Sequence, residues 1–226
     1  MPQRSAAGWI RLGLWALPVY GILTFIDTLT HQPDPNTDFE AYARYVSTSV
    51  YLVDHLVGSI FGATLGIFGA IALGAYLAGT AGRTALTAMV LHVAGLCFIL
   101  TIFGMSTFAT PAVGRAYLAG QQSIVEVNQD IIGIPLIVTA LLGGLLYSIG
   151  TILFGVAIWR SNALPRWAGV LYAPTGLLIS ILGLTIGASQ TLGALLIIVS
   201  GTWISWSAVR QPSGGAAGSQ AQPRVQ

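Results

Sequence analysis

Long runs of apolar residues, rather than alternating apolar and polar positions, dominate this sequence. Six runs are long enough to cross a bilayer core, which takes about 20 helical residues. They lack two-residue alternation and are far longer than the strands of membrane barrels, so helices are favoured over strands. The sequence therefore predicts an all-α, polytopic transmembrane bundle with six spans at about residues 9–29, 50–77, 84–108, 131–159, 167–186 and 191–209.

The organisation of the chain follows from these runs. Only Gly187 to Gln190 separate the fifth and sixth, which together are too long for one span, so a tight hairpin is predicted there. Residues 1–210 form the predicted membrane domain. The remainder, 211–226, is rich in Gly, Ser, Ala, Gln and Pro and is expected to be a disordered cytoplasmic tail.

Composition supports a membrane protein and excludes an ordinary soluble one. Apolar residues make up 54% of the chain, charged residues only 7%, and the mean hydropathy is +0.78. Typical globular domains are about one quarter charged. The net charge of +2 gives no clustered basic face, so no nucleic-acid partner is expected. The single cysteine, Cys97, excludes an intramolecular disulfide.

The distribution of arginine predicts the orientation. Arg44 and Arg115 are the two arginines on one side of the predicted spans, and the other seven fall on the opposite side. Since cytoplasmic loops are enriched in basic residues, both termini are predicted to be cytoplasmic, and the expected location is the cytoplasmic (inner) membrane, multi-pass. The seven arginines are Arg4, Arg11, Arg83, Arg160, Arg166, Arg210 and Arg224.

Two outer connections carry local signals. Thr37 to Glu40 fits a capping box that starts a helix, and no breaking residue follows before Leu77. The second connection, residues 110–129, begins at Pro111 and is expected to hold a short amphipathic helix.

Small residues predict where the helices pack. Gly58, Gly62, Gly66 and Gly69 recur on one arc of the second span, as expected of a close helix–helix interface in lipid. Pro18 and Pro174 lie within spans and are predicted to kink their helices, each releasing a carbonyl that a neighbour satisfies.

Five ionisable residues form the hypothetical ligand or ion path. Ionisable groups within spans are functional candidates by default. The alternative reading leaves the carboxylates as interfacial charges at helix N-termini and the buried histidine as a neutral structural residue. The candidates are Asp54, His55, His92, Glu126 and Asp130.

No cofactor or metal ion is predicted. A bis-histidine haem would need His55 and His92 at one depth, but the predicted spans place them about 10 Å apart along the membrane normal. A metal site of His31, His55, Asp27 and Asp54 lacks a ligand-spacing motif. Metalloprotease, serine-hydrolase and phosphate-loop motifs are missing, so an enzyme is not favoured and no catalytic residue is assigned.

The stretches DFEAYARYVSTSVYLVDHLVGSIFGATLGIFGAIALGAYL (Asp38–Leu77) and GVAIWRSNALPRWAG (Gly155–Gly169) resemble uncharacterised six-span membrane proteins of high-GC actinobacteria. The resemblance implies the fold and the membrane location, and it implies no activity.

Two functional hypotheses follow from the sequence. The first is a non-enzymatic membrane protein that binds a partner or a small apolar ligand within the bundle. The second is a small transporter or proton-coupled permease that uses His55 and His92. The expected partners are the lipid bilayer and a membrane protein or a second copy of the chain.

Overall fold

A computed structural model describes residues 2–30 and 32–210. His31 and the predicted tail, residues 211–226, lie outside these ranges. All regular structure in the described ranges is helical, which confirms the all-α prediction. The α-helices are α1 (Pro2–Leu14), α2 (Ala16–Asp27), α3 (Phe39–Val46), α4 (Ser49–Asp54), α5 (Gly62–Leu118), α6 (Ile124–Ile131), α7 (Ile134–Ser161), α8 (Arg166–Tyr172) and α9 (Gly187–Arg210).

Two π-helical turns and one 3₁₀ turn complete the helices. A π turn over His55–Phe61 joins α4 to α5, and a second over Leu177–Ile181 follows α8 and leads into a 3₁₀ turn, Leu182–Leu184. Counted across these joints, five continuous helices of the described chain are long and apolar enough to cross a membrane: Ala6–Asp27, Ser49–Leu118, Ile124–Ser161, Arg166–Leu184 and Gly187–Arg210.

The longest of these helices reverses direction at Gly82. Its 70 residues would extend about 105 Å if straight, more than three times the bilayer core. Gly82 has φ 51° and ψ −126°, a conformation that an L side chain rarely adopts. A Cβ added at Gly74 would lie 2.7 Å from the Cβ of Met89, so the two halves of α5 pack against each other as a hairpin.

The surface of the bundle is apolar, and many of the residues packed inside it are small. Phe68, Val90, Val138 and Val199 are each more than half exposed. Alanine and glycine meanwhile fill many of the buried positions on the same helices. This distribution is compatible with a membrane protein, because lipid provides no hydrophobic force to bury large side chains between helices.

Three helices meet at one end of the bundle, which we call the cap end. α3 packs on the last turns of α5, where a Cβ at Gly114 would contact Val46 and the carbonyl of Ala43. Tyr42, in this contact, is buried, and burial raises the pKa of its hydroxyl. α6 follows α5 at the same end. The opposite end carries the Gly82 turn, the loop between α7 and α8, and the end of α9.

The expectation of an unbroken helix from Thr37 to Leu77 is wrong. α3 ends at Val46, and a new helix begins after Thr48, whose hydroxyl accepts a hydrogen bond from the Tyr51 amide. α3 is capped by Asp38 rather than Thr37, because the Asp38 carboxylate accepts a hydrogen bond from the Ala41 amide at 2.9 Å. Both α3 and α4 therefore start at a side-chain cap, and the cap at Thr48 competes with a continuous helix.

The second outer connection is shorter than predicted. Pro111 lies inside α5, which continues to Leu118, ten residues beyond the predicted end at residue 108. The short helix expected in this connection is α6, and it starts only at Ile124. The helix that contains the predicted third span therefore runs well past the apolar stretch that predicts it.

The two prolines interrupt their helices. Pro18 has no N–H to bond the carbonyl of Leu14, and the regular hydrogen bonding is interrupted at Trp15, between α1 and α2. The Ser205 hydroxyl on α9 donates to that carbonyl at 2.9 Å, which confirms the predicted rescue by a neighbouring helix. At Pro174, α8 has already ended at Tyr172.

Candidate functional site

Two carboxylates and one imidazole come together near the cap end. Asp27 is the last residue of α2, Asp54 is the last of α4, and His55 begins the following π turn. One ligand atom from each residue lies within 4.8 Å of those from the other two. All three residues are half-buried. We call Asp27, Asp54 and His55 the carboxylate–histidine cluster.

The imidazole of His55 is oriented by the residue one turn before it. Its Nδ1 lies 3.1 Å from the carbonyl oxygen of Tyr51. Because a carbonyl only accepts, Nδ1 carries the proton and Nε2 presents a lone pair. The rings of Tyr51 and His55 also pack 3.9 Å apart between centroids. The Tyr51 carbonyl therefore fixes the proton on Nδ1 and leaves Nε2 for another partner.

Each of the two carboxylates accepts a hydrogen bond from a hydroxyl group. Ser59 donates to Oδ2 of Asp27 at 2.9 Å, and Thr30 donates to Oδ2 of Asp54 at 2.9 Å. Neither carboxylate is paired with an arginine in residues 2–30 and 32–210, where the ion pair found within 4 Å joins Arg44 to Glu40 on α3. The cluster is thus hydrogen-bonded by hydroxyl groups and has no arginine partner within the described ranges.

A glycine allows the two chain segments of the cluster to approach. A Cβ at Gly58 would lie 2.8 Å from the Cβ of Asp27. The other three glycines of the predicted seam also face the first span. Added Cβ atoms at Gly62, Gly66 and Gly69 would meet Leu23, Tyr20 and Leu17, respectively.

An apolar cavity adjoins Asp27. Its volume is about 160 Å³, and its walls come from α2, the second half of α5, α7, the turns after α8, and α9. A dry cavity of about 150 Å³ is large enough for benzene. The apolar lining is Ile99, Ile102, Phe103, Ala140, Ile179 and Leu184, and the polar lining is Thr24, Asp27, Thr28, Ser180 and Gln190.

A smaller cavity of about 30 Å³ connects Asp27 to two buried tyrosines. The hydroxyls of Tyr20 and Tyr147 lie 3.1 Å apart and share a hydrogen bond. The space is sufficient for a water molecule with polar neighbours. Polar groups therefore continue from the cluster toward the middle of the bundle.

His92 lies apart from the cluster, among aromatic rings. Its side chain is fully buried, and within residues 2–30 and 32–210 neither ring nitrogen has a hydrogen-bond partner. Tyr147 and Phe154 meet its ring edge-on, with centroids 4.8 and 5.6 Å away, and Tyr172 lies parallel at 6.3 Å. We call these three rings and His92 the aromatic group.

The predicted path is thus divided into three places. Asp54 and His55 belong to the cluster, and His92 belongs to the aromatic group. Glu126 and Asp130 are exposed on α6 and are not members of the cluster.

Asp27 and the tyrosines are the residues missing from the predicted path. Asp27 enters the sequence analysis only among the disfavoured metal ligands, although it ends one apolar run where Asp54 begins the next. That shared depth is the signal that pairs them. Tyr20 and Tyr147 give a weaker signal, a hydroxyl within an apolar run, which does not reveal that the two residues meet.

No family model matches the chain, and neither a curated protein nor a solved structure matches it. The resemblance to actinobacterial six-span proteins accordingly stays an expectation. Arguments about function rest on the cluster, the cavity and the aromatic group.

Proposed function

We propose that this chain is a six-span protein of the bacterial cytoplasmic membrane, with both termini cytoplasmic, that binds a small, largely apolar ligand between its helices. The hairpin at Gly82 supports six spans. Each half of the long helix exceeds the length that a bilayer core requires, and the two halves run side by side. Five long helices with one reversed on itself make six crossings.

The basic end of the bundle supports the orientation. Arg83 adjoins the Gly82 turn, and Arg166 and Arg210 lie at the same end. Two of these guanidinium groups lie over tryptophan rings, Arg166 at 5.7 Å from the centre of the Trp159 ring and Arg210 at 4.7 Å from that of Trp206. Arginine and tryptophan together are typical of a cytoplasmic membrane interface.

A tag fused after Gln226 tests this orientation. We expect it to be protected from protease added to intact cells and to be cut after permeabilisation. Cleavage in intact cells would reverse the assignment and place the cap end in the cytoplasm.

The 160 Å³ cavity beside Asp27 is the observation that carries the ligand proposal. Ligand pockets between bundle helices are mainly apolar with a few polar groups that fix orientation. Here the apolar wall faces a polar edge that includes Asp27, Thr28 and Gln190. A ligand of a few carbon atoms with one polar or basic group fits that lining.

Filling the cavity tests the proposal. Ala140 lines it, and Ala140→Phe would occupy the space. Val138 lies two residues away on α7 and is 56% exposed, so Val138→Phe adds a similar group on the outer surface. The experiment is native mass spectrometry of each protein after mild detergent extraction.

We expect one small molecule on the wild type and on Val138→Phe, and at least a tenfold lower occupancy on Ala140→Phe. An empty wild-type protein, or equal occupancy in all three, would contradict the ligand proposal. The same spectra report a second copy of the chain or a co-purified membrane protein, the partners predicted from the sequence.

Proton-coupled transport is the second candidate. The hydrogen bond between Tyr20 and Tyr147 favours it, because the pair lies between the small cavity at Asp27 and the ring of His92. In liposomes under a pH gradient, this candidate predicts a proton leak that Tyr147→Phe and His92→Ala both reduce. Equal leak in wild type, His55→Ala and His92→Ala would exclude the relay.

A further inference from the structure

We propose that the carboxylate–histidine cluster binds one divalent transition-metal ion through Asp27, Asp54 and His55. This site reverses the sequence-based expectation of no metal. It also goes beyond the ligand cavity, because an ion at the cluster does not require that the cavity be occupied.

The spacing of the three donors suits a single ion. Their ligand atoms all lie within 4.8 Å of one another. Zn²⁺ bonds to oxygen or nitrogen are about 2.0–2.2 Å long, so two ligands of one ion are separated by about 3.4 Å at a tetrahedral angle. The separations in the structure therefore exceed this value by at most about 1.4 Å.

The donor types match the same class of ion. Imidazole suits zinc and its transition-metal neighbours, whereas carboxylate oxygens bind most divalent ions. His55 already donates Nδ1–H to the Tyr51 carbonyl, the outer contact that typically fixes a metal-bound histidine. Ser59 and Thr30 bind carboxylate oxygens in the same supporting way.

Two adjacent carboxylates also favour either a cation or a shared proton at this site. Two carboxylates meet in a half-buried position, and within the described ranges no arginine pairs with either. The rival occupant is a proton shared between Asp27 and Asp54, which would leave the His55 lone pair without a role.

An ion could reach the cluster from the cap end. Asp54 also lines a shallow surface groove with Ser49, Val50 and Val53. Three protein ligands leave at least one coordination position open, as in zinc sites that hold water or substrate. A bound ion would tie the end of α2 to the junction of α4 and the π turn.

Metal titration of the purified full-length protein, stripped with chelator, tests the site. The probes are Zn²⁺, Mn²⁺ and Ca²⁺ in separate isothermal titrations, with zinc content measured after gel filtration. We expect one Zn²⁺ per chain. Asp54→Asn and His55→Gln should each weaken Zn²⁺ binding by about tenfold or more, because loss of even outer contacts costs 10- to 100-fold.

Glu126→Gln is the matched control, since Glu126 is an exposed acid at the same end. It should bind Zn²⁺ as the wild type does. His55→Gln separates ion classes, because loss of imidazole should affect Zn²⁺ more than Ca²⁺. Asp27→Asn is a third variant. If it fails to fold, the variants of Asp54 and His55 still test the site.

Absence of stoichiometric zinc in the wild type would overturn the proposal and favour the shared proton. Zinc binding that survives Asp54→Asn and His55→Gln unchanged would also overturn it, by placing the ion elsewhere. Ala140→Phe should retain zinc, so failure of the metal site and failure of the ligand cavity are distinguishable.

Discussion

The two histidines of the bundle have opposite surroundings. His55 is half-buried beside two carboxylates, and its Nδ1 is bonded to the Tyr51 carbonyl. His92 is fully buried, touches three aromatic rings, and finds no hydrogen-bond partner for either nitrogen in the part of the chain that the structure describes. His55 is thus surrounded by ionisable and polar groups, whereas His92 is surrounded by aromatic rings.

This difference teaches that position within a span does not define a histidine's role. Both residues lie in apolar runs and were equal candidates for a relay. The cap end supplies two carboxylates and two hydroxyls to His55, whereas the aromatic group stabilises only a neutral imidazole. Chemistry that depends on charge is therefore favoured at the cluster.

The largest effect is expected where His92 packs on α7. A Cβ at Gly150 would lie 2.6 Å from the backbone nitrogen of His92, so Gly150→Val must separate α5 from α7. We expect a loss of about 3 kcal/mol or more in the free energy of unfolding. Gly104→Val is the control, because nothing lies within 4 Å of a Cβ there. SDS titration of both variants in micelles measures the difference in the free energy of unfolding. Equal losses in the two variants would show that α5 and α7 are not closely packed at Gly150.

Substitutions at His92 itself sharpen the comparison. His92→Ala leaves a void among Tyr147, Phe154 and Tyr172 and should cost about 2–4 kcal/mol. His92→Leu keeps most of the volume and removes two unpaired polar atoms, so stability should hold or rise by about 1 kcal/mol. The same SDS titration reports both values. A destabilised His92→Leu would mean that the imidazole has a polar partner such as a bound water.

Tyr147→Phe tests the link between the two regions. It removes the hydrogen bond to the Tyr20 hydroxyl and should cost about 1 kcal/mol in the unfolding titration. Tyr45→Phe is matched to it, since the buried Tyr45 hydroxyl has no partner to lose. If both variants lose the same stability, the Tyr20–Tyr147 bond contributes nothing of its own.

The smallest effects are expected on α6. Glu126→Gln and Asp130→Asn change exposed side chains and should alter the free energy of unfolding by less than about 0.5 kcal/mol. Thermal unfolding in detergent is sufficient to compare them with wild type. A loss of several degrees in either would return α6 to the candidate site.

The helices and their close contacts could be predicted because both are local in sequence. Apolar length marks each span, and small residues four apart mark a face that packs closely. Pro18 is an example. Its missing N–H predicts an unsatisfied backbone carbonyl one turn earlier, and the Ser205 hydroxyl donates a hydrogen bond to that carbonyl, of Leu14. The hairpin at Gly82 likewise lies within the short gap between two predicted spans.

The carboxylate–histidine cluster and the cap end could not be predicted so well, because they depend on tertiary contacts. Asp27 and Asp54 are brought together by the close approach at Gly58, and no spacing rule relates them. Pro111 suggests a loop, yet α5 continues through it to Leu118, where α3 packs on its side. Residues far apart in sequence decide both outcomes.

The reversal at Gly82 has a consequence for how this membrane domain is built. A turn of one residue leaves no polar loop between the two helical segments. These segments are in contact from Gly74 to Met89, so they form one packed unit. Any epitope inserted at this point to map the chain would separate the pair that it is meant to report.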